Sequence, residues 1–318
     1  MDRRSFLAGA AAAAFGQAAP SSEPAIDTHM HLFDPERPQG VPWPSKRDPV
    51  LYRPALPARY REVSAPFSIA GAIAVECSPW LEDNQWLLDT AAQDPIFVAV
   101  VGNLEIGAPD FRPNLERFSK NPLFRGLRYG NLWGRNLSEV LSRKQFIEDM
   151  RFLAGAGLSL DTADPDPALL SASVRLSDLV PELRLILDHL PGADPPSEPS
   201  ARKLWYANLR ELAPRPQVYV KVSHLLRRVQ GKVPADLAFY RERVDEMWEF
   251  FGPDRLLFGS DWPNCDQWGP YSLVYRLVRE YFDSKGRQPA EKYFWKNSLA
   301  AYRWRPRTAA QSSLAAAA

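Results

Sequence analysis

Cysteine is nearly absent from this chain. Cys77 and Cys265 are the only two in 318 residues, too few and too far apart for a disulfide framework, a zinc ribbon or a redox motif. Neither sign of charge prevails: 39 basic and 38 acidic side chains leave a net charge of +1. With no long-range field to attract a polyanion, nucleic acid and anionic membrane surfaces are excluded as partners. No apolar run reaches the roughly 20 residues of a membrane span. Histidine is scarce too, with four in the chain, so the position of each one is informative. What is present is enough apolar residue for a large core, 45% of the chain, with 10 tryptophans and 30 prolines. These are expected to form aromatic-lined loops stiffened by proline.

Residues 1–19 read as a targeting segment. Arg3-Arg4 precede Ser5-Phe6-Leu7 and a short alanine-rich apolar stretch ending in small residues near Gly16-Gln17-Ala18. That order is the form of a secretory signal, and the paired arginines resemble the twin-arginine type, read by an export machinery that carries folded cargo. The expectation is a periplasmic or exported protein with one domain over residues 20–304. The tail, residues 305–318, is of low complexity and is expected to be disordered.

From Pro24 onward, short apolar runs alternate with amphipathic segments. Strands are predicted at Ala25–Phe33, Ile69–Cys77, Ile96–Asn103, Arg125–Gly130, Leu158–Asp161, Leu183–His189, Val218–His224 and Leu256–Asp261. Helices are predicted between them, including Asp236–Phe251, stopped by Gly252-Pro253. Runs that stay apolar until their last residues suit parallel strands covered on both faces. Eight such repeats over one chain predict an α/β fold, a (β/α)₈ TIM barrel. The alternative, an open doubly wound sheet, is weakened because no G-x-G-x-x-G follows the first strand. The long segment 34–68, rich in proline, is either a lid over the barrel mouth or a plug against its first helix.

The polar residues gather where these strands end. The first closes in Asp27-Thr28-His29-Met30-His31, whose alternation sends His29 and His31 to one face. The second ends in Glu76, the fifth in Asp161, the sixth in Asp188-His189, and the eighth in Asp261; the seventh carries Lys221 and His224. In a barrel all these ends face one mouth. Two imidazoles and a carboxylate, His29, His31 and Asp261, can hold a divalent metal such as Zn²⁺ and leave a position for water. Without a metal, the histidines can donate hydrogen bonds to a developing oxyanion, with Asp261 as the base for free water.

His29-x-His31, Asp188-His189 and Phe258-Gly259-Ser260-Asp261-Trp262-Pro263 resemble the amidohydrolase-related family. So do Val75-Glu76-Cys77, Phe124-Arg125-Gly126-Leu127-Arg128 and Val220-Lys221-Val222-Ser223. The resemblance is nearest to its sugar-lactone and 2-pyrone-4,6-dicarboxylate lactonase branch and spans about Ala25 to Arg303. It implies a distorted TIM barrel and hydrolysis of a cyclic ester, in which His29, His31 and His189 polarise the lactone carbonyl or bind metal and Asp261 activates water. Asp161 stands where many metal-dependent relatives carry histidine, and the fourth strand offers no clear lysine for carbamylation; both argue against a binuclear centre.

The substrate is expected to be a small molecule. Of the two fourth-strand arginines only one can enter the barrel, and Arg128 is the candidate grip for an anionic group, or else a salt bridge in the wall. His224, where the branch tends to glycine, contacts a substrate carboxylate or hydroxyl, or is a surface residue. Glu76, Trp80, Trp133 and Trp262 are further candidate substrate contacts, with Trp268 and Trp43 as additional tryptophans near the pocket. The competing reaction is metal-dependent decarboxylation of an aromatic or unsaturated acid. A third reading is a retired barrel that only binds a sugar acid.

Overall fold

A computed structural model describes residues 23–318. The expected export segment, residues 1–19, lies outside them. Eight parallel strands pair in sequence order: β1 (Ala25–Met30), β2 (Ile69–Val75), β3 (Phe97–Gly102), β4 (Phe124–Arg128), β5 (Ser159–Thr162), β6 (Arg184–Leu187), β7 (Val218–Val222) and β8 (Leu256–Phe258). Helices alternate with them, so the fold is the expected TIM barrel. β1, β3 and β7 are buried at every residue; β3 accordingly reads as an unbroken apolar run, while β1 and β7 carry buried polar residues, Asp27, Thr28, His29 and Lys221, among their apolar ones. At helix 237–251, Asp236 caps the start by accepting from the Ala238 N–H. Gly252 then ends it at φ 63°, a conformation that glycine takes without steric cost.

The sheet closes between its first and last strands by side-chain and backbone bonds around a short seam. Asp261 N donates to His29 O at 2.8 Å and His31 N to Trp262 O at 2.7 Å. Below them the Thr28 hydroxyl donates to Phe258 O at 2.6 Å. Asp27, fully buried, accepts from the backbone N–H groups of Ser260 and His29 and from the phenols of Tyr60 and Tyr271. Gly259 is required here: a Cβ on it would stand 2.8 Å from His29 Cβ and 3.2 Å from Ser223 Cβ. The seam therefore locks His29 and His31 to Asp261.

Two expectations about the connecting segments are corrected. Segment 34–68 is not all loop, because Pro57–Ser64 is a helix opened by proline at its first turn. It is both plug and wall: Tyr60 reaches Asp27 in the core, while Trp43 lines the barrel mouth. The tail is not disordered across its length. Ala309–Ala316 is a helix with a Thr308/Gln311 capping box. Arg307 donates to the carbonyls of Ala91, Asp94 and Phe97, and buried Gln311 donates to those of Ala70 and Pro95. These carbonyls, presented by the barrel's underside, anchor an otherwise featureless alanine-rich sequence.

Candidate active site

All the strands but β5, which runs one residue past its predicted end to Thr162, end a residue or more earlier than predicted, and the candidate site residues on β6, β7 and β8 sit just beyond them. His189, His224 and Asp261 all have left-handed backbones, at φ 58°, 51° and 60°. For non-glycine residues this conformation is uncommon and costs energy, and it concentrates at functional sites. Here it turns each chain over the barrel mouth, so that side chains from separate strand ends meet. They floor a cleft of about 540 Å³ whose walls include Trp43, Arg128, Trp133 and Asp164, within the range of small-molecule sites.

Asp261 is the centre. Its Oδ2 accepts from His224 Nδ1 at 2.8 Å and from Asn264 Nδ2 at 2.8 Å. Its Oδ1 faces three imidazoles: His31 Nε2 at 3.4 Å, His29 Nε2 at 3.7 Å and His189 Nε2 at 4.0 Å. Burial alone would raise this carboxyl. The facing His189 and the contacts with His224 and His31 reverse that and hold it well below the usual carboxylate range. Burial pushes His29 and His189 well down, so both are neutral. His224 is also penalised by burial, but its bond to Asp261 wins and raises it.

The ring orientations are fixed from behind. His31 Nδ1 lies 3.0 Å from Val75 O; a carbonyl only accepts, so this nitrogen carries hydrogen and Nε2 is left for a ligand. His189 Nδ1 is 2.8 Å from Ser223 Oγ. His29 is fully buried and does not line the cleft. Tetrahedral zinc with bonds of about 2.0–2.2 Å separates its donors by roughly 3.3 Å. The spacings within His29, His31 and Asp261 approach that, and the three form a metal-capable group. Buried His29 Nε2 and Asp261 Oδ1 have no hydrogen-bond partner, so the donor set fits a divalent ion.

Several expected contacts fall elsewhere. Trp80 is 40% exposed and does not line the cleft. Trp262 is fully buried and packs against Tyr60 and Arg59; its contribution is the carbonyl that holds His31. Glu76 is not a cleft wall. It accepts from Arg128 Nε at 2.6 Å and from Trp133 Nε1 at 3.1 Å, so it positions two residues that are. Arg128 thus forms a salt bridge in the barrel wall and lines the cleft as well. His224 is half-buried, lines the cleft and spends its Nδ1 on Asp261. Sequence reading missed Asn264 and Ser223. Asn264 follows Asp261 by one turn, and only the 3₁₀ helix after Pro263 brings its amide back to the carboxylate.

A family model described as amidohydrolase matches residues 26–304. The chain belongs to the amidohydrolase family. This amidohydrolase is 29% identical over 243 residues to the L-fucono-1,5-lactonase of Burkholderia ambifaria, covering 75% of this chain and 80% of the relative. It is 28% identical over 287 residues to the L-fucono-1,5-lactonase of Burkholderia multivorans, covering 86% and 94%. Among solved structures, an amidohydrolase from Burkholderia multivorans with bound zinc superposes with a TM-score of 0.78 at 25% identity. That match covers 88% of this chain and 99% of the other.

The Asp261–His224 pair gives the amidohydrolase a pH signature. A carboxyl with a lowered folded value contributes stability above its unfolded value near 3.8 and loses it as pH falls through the folded one. His224, raised above 6.5, contributes below that value and loses it as pH rises through its folded one. In a His224→Asn variant the Asp261 carboxyl moves back up. The acid limb of the kcat/KM profile is then expected at higher pH than in the parent. An unmoved limb would mean that Asp261 ionisation does not control it.

Proposed function

We propose that the protein is a lactonase that opens a sugar-acid lactone by adding water to its ring carbonyl. One observation carries the reading: an ionised carboxylate oxygen, Asp261 Oδ1, faces three imidazole nitrogens at the floor of a cleft. Support for the substrate class comes from the two L-fucono-1,5-lactonase relatives. It comes also from Trp43 and Trp133, which both line the cleft and supply aromatic surface against which a ring can pack.

Water adds to the carbonyl carbon and gives a proton to Asp261 Oδ1. The acyl–oxygen bond of the ring then breaks, and the proton passes to the departing ring oxygen, leaving a hydroxy acid. A carboxylate held below its usual range is a weak base. It therefore acts as the attacking water bonds to carbon and becomes acidic, when its proton is easiest to remove. Asn264 and His224 fix the other carboxylate oxygen, so Oδ1 is aimed before substrate arrives. His189, in the cleft wall, orients the carbonyl. His29, His31 and Asp261 would hold a divalent ion, zinc being the one suited to nitrogen and carboxylate donors; when bound it supplies Lewis-acid polarisation of the carbonyl.

The test is a panel of sugar-acid 1,5-lactones followed with a pH indicator, run beside a CO₂-release assay on aromatic acids. The expected result is a proton released for each lactone consumed, faster than spontaneous opening. Carbon dioxide release with no lactone opened would replace this reading by decarboxylation.

A further inference from the structure

Beneath the cleft lies a charged cluster for which the hydrolytic steps have no use. Lys221, the inward residue of β7, is fully buried together with Asp161 of β5 and Asp188 beyond β6. Its Nζ lies 2.6 Å from Asp161 Oδ2, 3.0 Å from Asp188 Oδ1 and 3.1 Å from His29 Nδ1. Tyr302, at the end of helix 297–302, donates to the same Asp161 oxygen at 2.7 Å. An amine flanked at these distances by two buried carboxylates is an ammonium. Its three hydrogens face three acceptor positions, and it has no lone pair to offer in return.

We infer that Lys221 donates to His29 Nδ1 and so fixes the ring hydrogen of His29 on Nε2, the nitrogen that faces Asp261. Two groups compete for Nδ1. The acceptor, Asp188 Oδ2, is 3.5 Å away and makes no hydrogen bond; the donor, Lys221, is closer at 3.1 Å and is held in place by its hydrogen bond to Asp161 and its ion pair with Asp188. A histidine that ligates a metal usually shows the reverse arrangement, giving its second N–H to a carboxylate or carbonyl behind it. His31 has that arrangement through Val75 O, whereas His29 does not. His29 is therefore held as a hydrogen-bond donor toward the reacting centre. A metal can take its Nε2 only after that hydrogen is displaced and the Lys221 bond is given up. Lys221 is thus a positioning residue that weighs the site toward hydrogen-bond donation and away from tight metal binding.

This inference rests on the proposed reading of the site, but its main readout is independent of turnover. Protein labelled with ¹⁵N at histidine has four side chains to resolve, and a His29→Gln sample assigns the one of interest. The expected spectrum of the metal-free parent shows His29 protonated at Nε2 and bare at Nδ1; the opposite tautomer would overturn the inference without any variant. Zinc titration supplies the second arm. Lys221→Met removes both donor and charge and should tighten zinc by about 10–100-fold, the scale on which partners of ligating histidines act. Lys221→Gln removes the charge but keeps an N–H for Nδ1, and should retain the parent tautomer and most of its weak affinity. Equal tightening in both variants would mean that charge alone controls the metal, and the tautomer role would fall. Absence of lactonase activity with the expected spectrum would sink the functional reading and leave this one standing.

Discussion

Replacing Asp261 with Asn is expected to lower kcat for lactone opening by about 10²–10⁴-fold, the loss typical of a missing general base. The amide is nearly isosteric, and its oxygen can still accept from His224 and Asn264, the bonds that hold the parent side chain. It cannot accept and return a proton. The backbone bond from residue 261 to His29 O is untouched, so the barrel seam stays closed and the unfolding transition remains cooperative. The loss should appear in kcat more than in KM, because the proton moves only as water attacks. Retention of more than about a tenth of the parent kcat would exclude Asp261 as the base. The natural second choice would be His189, a neutral imidazole in the same cleft.

The position of Asp261 was legible because polar residues gather at strand ends and most of the strands read as apolar runs. β1 turns polar at Asp27 after only two apolar residues, and β8 is apolar throughout and followed at once by Gly259-Ser260-Asp261, so His29, His31 and Asp261 stand out as polar residues at the ends of strands. Side-chain direction beyond the strand ends was not legible. Alternation predicts it only while the backbone stays extended. At Asp261 the backbone is left-handed, and the next residue, Trp262, turns into the core against Tyr60 instead of toward substrate. Trp133, also left-handed at φ 59°, is turned the other way and does line the cleft. Nothing in a local window distinguishes the two tryptophans.

Partners distant in sequence were hidden for a different reason. Lys221 stands out in Val218-Tyr219-Val220-Lys221-Val222 as a charge at an inward position, yet its partner Asp161 is 60 residues away. Only the sequential strand order of the barrel brings β5, β6 and β7 side by side. The tail shows the same limit: alanine favours helix, but a helix of eight residues is too short to hold on its own. Arg307 and Gln311 find their acceptors only once the underside of the barrel exists.

Arg128 tests whether the cleft wall is a structural device as well as a binding one. The side chains of Arg128 and Glu76 are 7% and 4% exposed, and burial, which disfavours the guanidinium charge, is overcome by Glu76, so Arg128 stays firmly protonated. Arg128→Met leaves the Glu76 carboxylate buried without its cation, and breaking a buried pair in this way costs about 3–5 kcal/mol. The expected result is a fall of that size in urea unfolding, read as a lower midpoint at an unchanged slope. Adding Glu76→Gln removes the stranded charge while keeping an oxygen for Trp133 Nε1, so the double variant should recover most of the loss. Binding should not recover with it. If the guanidinium grips the substrate, KM stays high in the double variant although its stability is restored. A double variant with parental KM would make Arg128 a wall residue only. A single variant with the parental midpoint would mean that Glu76 takes up a proton or water readily enough to stand alone.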